Sequence, residues 1–326
     1  ATQVTASVLE AADQLVVVGR AGIGLDNVDV TAATARGVMV VNAPQSNIVS
    51  AAEHTMALLL AQARNVPQAH AALVQGRWER SRWEGVELAD KTLAIIGLGR
   101  IGKLVADRAK AFGMRLVSYD PFVSADRARQ MGVEMLTLEQ AVAEADFLTV
   151  HLPKTKETTG LINRDLMLKA KPSLRIINVA RGGIVDEQAL AECVRDGIIA
   201  GAAVDVFSVE PCTSSPMFEV DSIVVTPHLG ASTDEAQEKA GISVAKSVRL
   251  ALAGDLPLEV DDLVVVVVGV DPGQLRGRDG DGPTVDLEGR DPVVLVLDSR
   301  HSFGSQVGAA RWGRARRGGL RGTSEF

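Results

Sequence analysis

The chain of 326 residues contains few of the residues on which several protein classes depend. It has two cysteines, Cys193 and Cys212, and they form neither a Cys-x-x-Cys pair nor a Cys/His cluster. This usage excludes a disulfide-built scaffold and a structural zinc site of the usual kind, and it suits a reducing compartment. We therefore expect no metal in the functional site and a cytoplasmic location.

Positive charge and long apolar runs are also scarce. Lys and Arg number 34 against 41 Asp and Glu, so the net charge is −7, which argues against nucleic acid as the main partner. The run LVVVVVGV (263–270) is far shorter than the ~20 residues that a membrane helix needs. No signal-peptide pattern is visible, although residue 1 is not Met. We expect neither nucleic acid nor a membrane as a partner.

Residues 91–228 alternate short β-branched runs with amphipathic stretches. Apolar runs separated by helices indicate a parallel sheet covered on both faces, and six strands fill one doubly wound α/β domain of the Rossmann type. The predicted strands are TLAIIG (92–97), RLVSYD (115–120), DFLTVHL (146–152), LRIINVA (174–180), AAVDVF (202–207) and SIVVTP (222–227).

The segments on either side of this domain predict a second, smaller one. QLVVVGRAG and VMVVNAP are typical of buried strands, and residues 50–64 predict a helix that begins with a capping box of Ser50 and Glu53. Ser232 and Glu235 form a second capping box ahead of another helix. We place domain boundaries at 1–64, 65–230 and 231–256, the last being a helix that returns to the first region.

The remaining segment, 257–326, differs in composition. From residue 261 onward the chain contains 12 glycines, 9 arginines and no lysine, and no helix or strand period is sustained. Such a segment buries too little apolar surface to offset chain entropy. We expect a disordered tail, translated out of frame or added by cloning; the alternatives are a basic interaction tail and pairing of its two apolar runs with an open sheet edge.

GLGRIG (97–102) has the glycine spacing of a dinucleotide-binding loop. Gly97 permits a tight turn after a strand, Gly99 lets the backbone approach a pyrophosphate, and Gly102 packs helix against strand. Asp120 ends the next predicted strand, where a carboxylate binds a ribose diol and repels a 2′-phosphate, so NAD is favoured over NADP. The simpler alternative is a glycine-rich turn with a helix-capping aspartate.

Other polar residues lie at the predicted carboxyl ends of strands, where such sheets bind ligands. His228 lies in VVTPHLGAST, Arg181 in NVARGGIVDEQAL, and Asp205 and Glu210 in AAVDVFSVEP. Each alone is more often structural. A guanidinium suits a carboxylate, and Glu210 is placed to approach His228. In GRAGIGLDNVD, Arg20 and the free amides after it could bind an anion.

Taken together, these motifs resemble the D-isomer-specific 2-hydroxyacid dehydrogenases. GRAGIGLDNVDV, VVNAPQSNIVSAAEHTMALLLAQAR, GLGRIG, HLPKTKETTGLIN, NVARGGIVDEQAL, DVFSVEP and TPHLGASTDEAQ occur in the family's order and cover about residues 1–256. The resemblance implies an NAD-dependent oxidoreductase acting on a small D-2-hydroxy acid. Within the family it favours members that oxidise 3-phosphoglycerate in serine biosynthesis.

The resemblance also implies a role for each residue. Arg181 holds the substrate carboxylate, His228 exchanges the C2 hydroxyl proton, and Glu210 pairs with His228. Asp205 orients the nicotinamide amide. The implied cofactor-binding residues are Gly97, Gly99, Arg100, Ile101, Gly102, Asp120, Pro153, Ala180, Asp205 and Gly230. The implied substrate-binding residues are Arg20, Gly22, Ile23 and Arg80, the last across a homodimer or homotetramer interface in the cofactor domain.

Two alternatives stay open at this point. A glyoxylate or hydroxypyruvate reductase of the same family would not need Arg20 as a phosphate ligand. A non-catalytic NAD-sensing protein of the corepressor kind can keep Arg181, Glu210 and His228. By comparison with the family, we also expect the NAD-binding domain to be inserted in a smaller, flavodoxin-like substrate domain that lacks its first strands here. We expect the chain to bind NAD and to turn over weakly or not at all.

Overall fold

A computed structural model describes residues 2–254 and the backbone of residues 276–278, 281–284 and 293–297. The chain divides into two compact units, which we call the smaller unit (Ala1–Ser46 with Gln237–Phe326) and the larger unit (Asn47–Ala236). Within the described residues, no helix combines the length and the apolar character needed to cross a membrane.

The smaller unit contains a three-stranded parallel sheet among its described residues. Strand β1 (Leu15–Arg20) lies between β2 (Met39–Val41) and a strand near the other end of the chain, β12 (Val293–Leu297). The other described elements are helices α1 (Ala6–Glu10) and α2 (Val30–Ala35), most of α10 (Asp234–Leu252), and a hairpin of β10 (Arg276–Arg278) and β11 (Asp281–Thr284).

Two apolar clusters pack around this small sheet. Val18 and Val40 face α1 and α2, whereas Val17 and Val41 face one side of α10. That side consists of Ala240, Val244, Val248 and Ala251. Helix α10 begins at Asp234, and Thr233 rather than Ser232 caps it by accepting a hydrogen bond from Ala236 N at 3.1 Å.

The pairing of β12 with β1 bears on the predicted tail. Five residues of β12 are in register with Leu15–Arg20. At Val293–Leu297 the structure therefore agrees with the alternative prediction, in which an apolar run of the tail pairs with an open sheet edge, and not with the prediction of disorder. Apart from β10 and β11, the other residues of 257–326 lie outside the described part of the chain. The prediction that they are disordered therefore stays a prediction.

The larger unit is built on a parallel sheet in the order β5-β4-β3-β6-β7-β8-β9. The strands are β3 (Thr92–Ile96), β4 (Arg115–Tyr119), β5 (Glu134–Met135), β6 (Phe147–Val150), β7 (Arg175–Asn178), β8 (Gly201–Val204) and β9 (Ile223–Val225). All six predicted strands are confirmed. The two-residue edge strand β5 was not predicted, because it is too short to have a period.

Helices cover both faces of this sheet. They are α3 (Ile48–Ala63), α4 (Val66–Val74), α5 (Arg100–Ala111), α6 (Ala125–Gln130), α7 (Leu138–Glu144), α8 (Arg164–Met167) and α9 (Glu187–Arg195), with 3-10 helices at Arg80–Trp83 and Pro216–Glu219. Successive residues of β3 alternate between two apolar clusters: Leu93 and Ile95 belong to one, and Ala94 and Ile96 to the other. The predicted doubly wound fold is therefore confirmed.

Helix α3 belongs to the larger unit, whereas the predicted boundary at residue 64 placed it with the first region. Its buried face, including Ala52, Met56 and Leu59, shares a cluster with Leu93 of β3 and Val105 of α5. The predicted cap is also displaced. The helix begins at Ile48, so Ser50 lies inside its first turn and shares a hydrogen bond with Thr233 at 2.8 Å.

Candidate active site

The glycine loop occupies the turn from β3 into α5, next to the point where the strand order reverses. Gly97 has φ 100°, and a Cβ added to it would lie 2.8 Å from the carbonyl oxygen of His151. A Cβ on Gly102 would collide with the carbonyl oxygen of Gly97, whereas Gly99 faces open space. The backbone amides at the start of α5 are thus accessible to an anion, with Arg100 and Ile101 in the first turn.

Asp120 follows β4 and lies against this loop. Its Oδ2 accepts a hydrogen bond from Leu98 N at 2.7 Å, and its Oδ1 accepts one from Phe122 N at 2.8 Å. A carboxylate oxygen has a second lone pair, so Asp120 can still accept hydrogen bonds from a diol. Beside it lies an open cleft of ≈ 570 Å³ lined by Tyr119, Asp120 and residues 135–140. The loop and the cleft together fit a dinucleotide.

The segment after β6 borders the glycine loop. Burial lowers the pKa of His151 to about 3, so this imidazole is neutral at physiological pH and its Nε2 lies 3.0 Å from Thr149 Oγ1. Pro153 follows, and its carbonyl oxygen accepts a hydrogen bond from Thr158 Oγ1 at 2.7 Å. His151 is therefore unsuited to proton exchange, although it lies at the ligand edge of the sheet.

Arg181 follows β7 on a loop that is held by a side chain the sequence analysis did not select. The buried Asn178 donates from Nδ2 to the carbonyl oxygen of Arg181 at 3.0 Å, and its Oδ1 accepts a hydrogen bond from Ala180 N at 3.1 Å. The Arg181 guanidinium donates to the carbonyl oxygen of Ala180 at 2.7 Å. An asparagine at a strand end is too common for the sequence alone to indicate this role.

Glu210 and His228 form a close pair between the loops that follow β8 and β9. His228 Nδ1 lies 2.6 Å from Glu210 Oε2, and Glu210 Oε1 accepts a hydrogen bond from Phe207 N at 2.9 Å. The carboxylate accepts the Nδ1 proton, so Nε2 is the nitrogen available for proton exchange. The imidazole is 44% exposed, and a reactant can therefore approach it.

The electrostatics of the pair favour the ion-pair form. The hydrogen bond to Glu210 raises the pKa of His228 above its ordinary value, against burial and against the positive charge of Arg181. Burial opposes ionisation of Glu210, but the hydrogen bonds from His228 and Phe207 N lower its pKa below the ordinary value. Because the charge of Arg181 lowers the pKa of His228, the guanidinium and the imidazole lie close enough to interact electrostatically.

The Arg181 and Glu210 loops also contact each other directly. Gly182 packs against the backbone of Phe207 and Ser208, and a Cβ would not fit there. Glu187, at the start of α9, accepts hydrogen bonds from Ser208 N at 2.6 Å and from Ser208 Oγ at 3.2 Å. These contacts fix the segment that carries Glu210, and Glu187 is a second functional residue that the sequence analysis did not identify.

Asp205 holds the turn that carries His228. Its side chain is 0% exposed, and its oxygens accept hydrogen bonds from Thr226 Oγ1 at 2.6 Å, Leu229 N at 2.7 Å and Gly230 N at 2.8 Å. Asp205 and Gly230 thus have a structural task in this loop that the sequence analysis did not foresee. That they also contact the nicotinamide end of the cofactor stays a prediction.

The predicted substrate-binding residues lie in both units. In the smaller unit, Arg20 ends β1, the carbonyl oxygen of Gly22 accepts a hydrogen bond from Ala43 N at 3.0 Å, and that of Ile23 accepts one from Asn42 Nδ2 at 2.8 Å. In the larger unit, Arg80 begins the 3-10 helix that follows α4. Among the described residues, no cluster of three His, Cys, Asp or Glu side chains could hold a metal.

Comparison with known proteins agrees with this geometry. Residues 56–230 match the family model of the D-isomer specific 2-hydroxyacid dehydrogenase, NAD binding domain. Over 270 residues, 83% of this chain, it is 58% identical to the D-3-phosphoglycerate dehydrogenase of Mycobacterium tuberculosis. Over 256 residues, 78% of this chain, it is 49% identical to that of Methanocaldococcus jannaschii.

Solved structures share the fold. The crystal structure of D-lactate dehydrogenase from Aquifex aeolicus, complexed with NAD and lactic acid, aligns with a TM-score of 0.70 and 28% identity, and covers 78% of this chain and 81% of that one. The TT0316 protein of Thermus thermophilus aligns with a TM-score of 0.72 and 34% identity, and covers 78% and 82%. The chain spans about half the length of the curated relatives it matches, 51% and 49% for the two named above. It belongs to the D-isomer specific 2-hydroxyacid dehydrogenase family and carries that family's NAD-binding domain.

Proposed function

We propose that this chain transfers a hydride between NAD and a small D-2-hydroxy acid, and that the acid is 3-phosphoglycerate, which is oxidised to 3-phosphohydroxypyruvate at the start of serine biosynthesis. The observation that carries the proposal is the Glu210–His228 pair, 2.6 Å apart, at the edge of the sheet where the glycine loop lies. The choice of acid rests on relatives named D-3-phosphoglycerate dehydrogenase at 58% identity.

His228 serves as the base in this proposal. Its Nε2 takes the proton of the C2 hydroxyl. Glu210, which accepts the hydrogen on Nδ1, stabilises the imidazolium that results. Arg181, whose loop is held by Asn178, binds the substrate carboxylate and polarises the C2 oxygen. NAD, when bound, accepts the hydride that leaves C2.

The cofactor is held by the edge formed by β3, β4 and β6. The open amides around Gly99 and the start of α5 bind the pyrophosphate. Asp120 accepts hydrogen bonds from the ribose diol and repels a 2′-phosphate. The cleft lined by Tyr119 and residues 135–140 receives the adenine end.

Three parts of the proposal concern substrate and assembly. We assign the substrate carboxylate and phosphate to Arg20, Gly22 and Ile23 of the smaller unit, and an additional phosphate contact to Arg80. We assign homodimer or homotetramer formation to the surface of α4 and the residues after it, where Val74 and Trp78 are 72% and 81% exposed. Two free cysteines, Cys193 and Cys212, suit a cytoplasmic enzyme.

The experiment combines cofactor titration and turnover in the full chain. We expect NADH, followed by nicotinamide fluorescence, to bind at least tenfold more tightly than NADPH. We expect turnover, which the sequence predicts to be weak in this chain, to be far faster with 3-phosphoglycerate than with unphosphorylated glycerate. The variant Asp120→Ala should lower the ratio of the two cofactor affinities, a ratio that general damage to the loop would leave unchanged.

Each contrary result replaces one part of the proposal. Equal affinities for NADH and NADPH would remove Asp120 from its role. If glyoxylate or hydroxypyruvate reacts as fast as the phosphorylated substrate, a reductase that does not bind the substrate phosphate would be favoured. Tight NADH binding without turnover of any of these acids, together with capture of a peptide partner, would favour a cofactor-sensing protein.

A further inference from the structure

His54 lies against the loop that carries His228, where it contacts Thr226. It lies in the middle of α3, and its Nε2 is 3.2 Å from Asp205 Oδ1 and 3.3 Å from Thr226 Oγ1. Its imidazole is 20% exposed. The ring therefore faces a buried carboxylate rather than solvent.

Asp205 binds the His228 loop on both sides of His228. Its carboxylate accepts hydrogen bonds from Thr226 before it and from Leu229 N and Gly230 N after it. Its carbonyl oxygen accepts a hydrogen bond from His228 N at 2.8 Å. The whole turn from residue 226 to 230 is thus wrapped around one aspartate.

This turn needs such support because His228 has φ 54°. A non-glycine residue seldom adopts a left-handed conformation, because its Cβ is crowded by the backbone there. The conformation persists because the hydrogen bonds around it fix the backbone. Any loosening of Asp205 therefore alters the direction in which the His228 ring points.

Asp205 itself must be held in place. A buried carboxylate is unfavourable unless donors surround it. Burial opposes its ionisation, but the hydrogen bonds from His54, Thr226, Leu229 and Gly230 lower the pKa of Asp205 below its ordinary value. Of the described groups that donate to this carboxylate, His54 is the one outside the 226–230 turn.

We propose that His54 is a positioning residue: its Nε2–H donates to Asp205 and fixes, from α3, the carboxylate around which the His228 turn is wrapped. His54 touches no reactant and acts through Asp205. Without this hydrogen bond, the carboxylate and its turn shift together relative to Glu210. The 2.6 Å contact between His228 and Glu210 is then lost for part of the time.

The test measures the titration of His228 by imidazole NMR in the full chain, with His228→Asn used to assign the signal. The three variants are His54→Leu, His54→Gln, which keeps a donor, and the control Glu53→Gln. Glu53 lies beside His54 on α3 but pairs with Arg108 at 3.3 Å. Circular dichroism verifies that each variant folds, and His54→Ala replaces the leucine variant if that one does not.

We expect His54→Leu to lower the pKa of His228 by roughly half a pH unit, less than removal of the Glu210 carboxylate would, because the contact between the two charges is lost for only part of the time. His54→Gln should recover most of the shift, and Glu53→Gln should match the wild type. An unchanged titration in His54→Leu would overturn the proposal. An equally large fall in the pKa of His228 in His54→Gln would also overturn it. The shape of the imidazole, and not the hydrogen bond that it donates to Asp205, would then position the turn.

The inference uses the proposed function only for the catalytic meaning of His228. The titration requires neither turnover nor bound NAD. If the chain fails to oxidise any 2-hydroxy acid, the proposed function fails, and the NMR result still decides whether His54 positions His228.

Discussion

The larger and smaller units differ in where each strand finds its neighbours. In the larger unit, β3 pairs with β4 and β6, and successive strands are separated by one helix or a short loop. In the smaller unit, β1 pairs with β2 on one side and, on the other, with β12, which follows it by more than 270 residues. Local pattern therefore suffices to predict the first sheet, whereas the second depends on a pairing that no local signal encodes.

The units also differ in what they bury. Of the eight buried polar or charged side chains among the described residues, seven lie in the larger unit, Asn178 and Asp205 among them. Such side chains need hydrogen-bond partners, and for Asn178 and Asp205 the partners are the loops that carry Arg181 and His228. The proposed chemistry of the larger unit is thus tied to its interior, and substitutions there should alter function more than those elsewhere.

The largest expected effect tests this directly. His228→Asn should lower turnover by roughly 10²–10⁴, the range for a positioned acid/base, and should leave NADH affinity nearly unchanged. The control is Lys169→Gln, because Lys169 is exposed after α8 and belongs to neither the proposed site nor the proposed interface. Steady-state kinetics and a fluorescence titration measure the two quantities. Equal losses in both variants, or a parallel loss of NADH affinity in His228→Asn, would contradict the acid/base role.

A smaller effect is expected from the partner of His228. Glu210→Gln removes the negative charge that raises the pKa of His228, so the pKa should fall by about one unit. The base form would then be present at lower pH, and the acidic limb of kcat/KM for hydroxy-acid oxidation should move in that direction. The limb should stay in place in Glu192→Gln, on the exposed side of α9. An unmoved limb in Glu210→Gln would exclude the pair.

The same comparison explains how much the sequence could predict. The six long strands, the doubly wound order and the glycine loop follow from apolar runs and spacing, because each run folds against its neighbours. The predicted helix starts were displaced by three residues and by one: Asn47 rather than Ser50 precedes α3, and Thr233 rather than Ser232 caps α10. Several Ser, Thr and Asn residues stand close together there, and pattern alone does not rank them.

The supporting residues of the site could not be predicted in this way. His54 and Asp205 are 151 positions apart and belong to a helix and a strand end. The buried state of Asp205, which lets it hold the His228 turn, depends on three donors from a turn that begins 21 residues later. Asn178 and Glu187 likewise act on loops through single hydrogen bonds. Such contacts are known only once the strands are placed side by side.

The smallest expected effect concerns β12. Ending the chain after Val260 removes the strand that covers the edge of β1, which costs the backbone hydrogen bonds of five paired residues. A net loss of about 2 kcal/mol is reasonable for such a set, and it should lower the unfolding midpoint of the smaller unit by about 5 °C or more. Calorimetry measures the midpoint, and the transition of the larger unit should not move. A chain ending at Leu297 keeps β12 and is the matched control. If the shorter chain unfolds within a degree or two of the control, β12 does not stabilise β1, and residues 261–326 behave as the tail that their composition predicts.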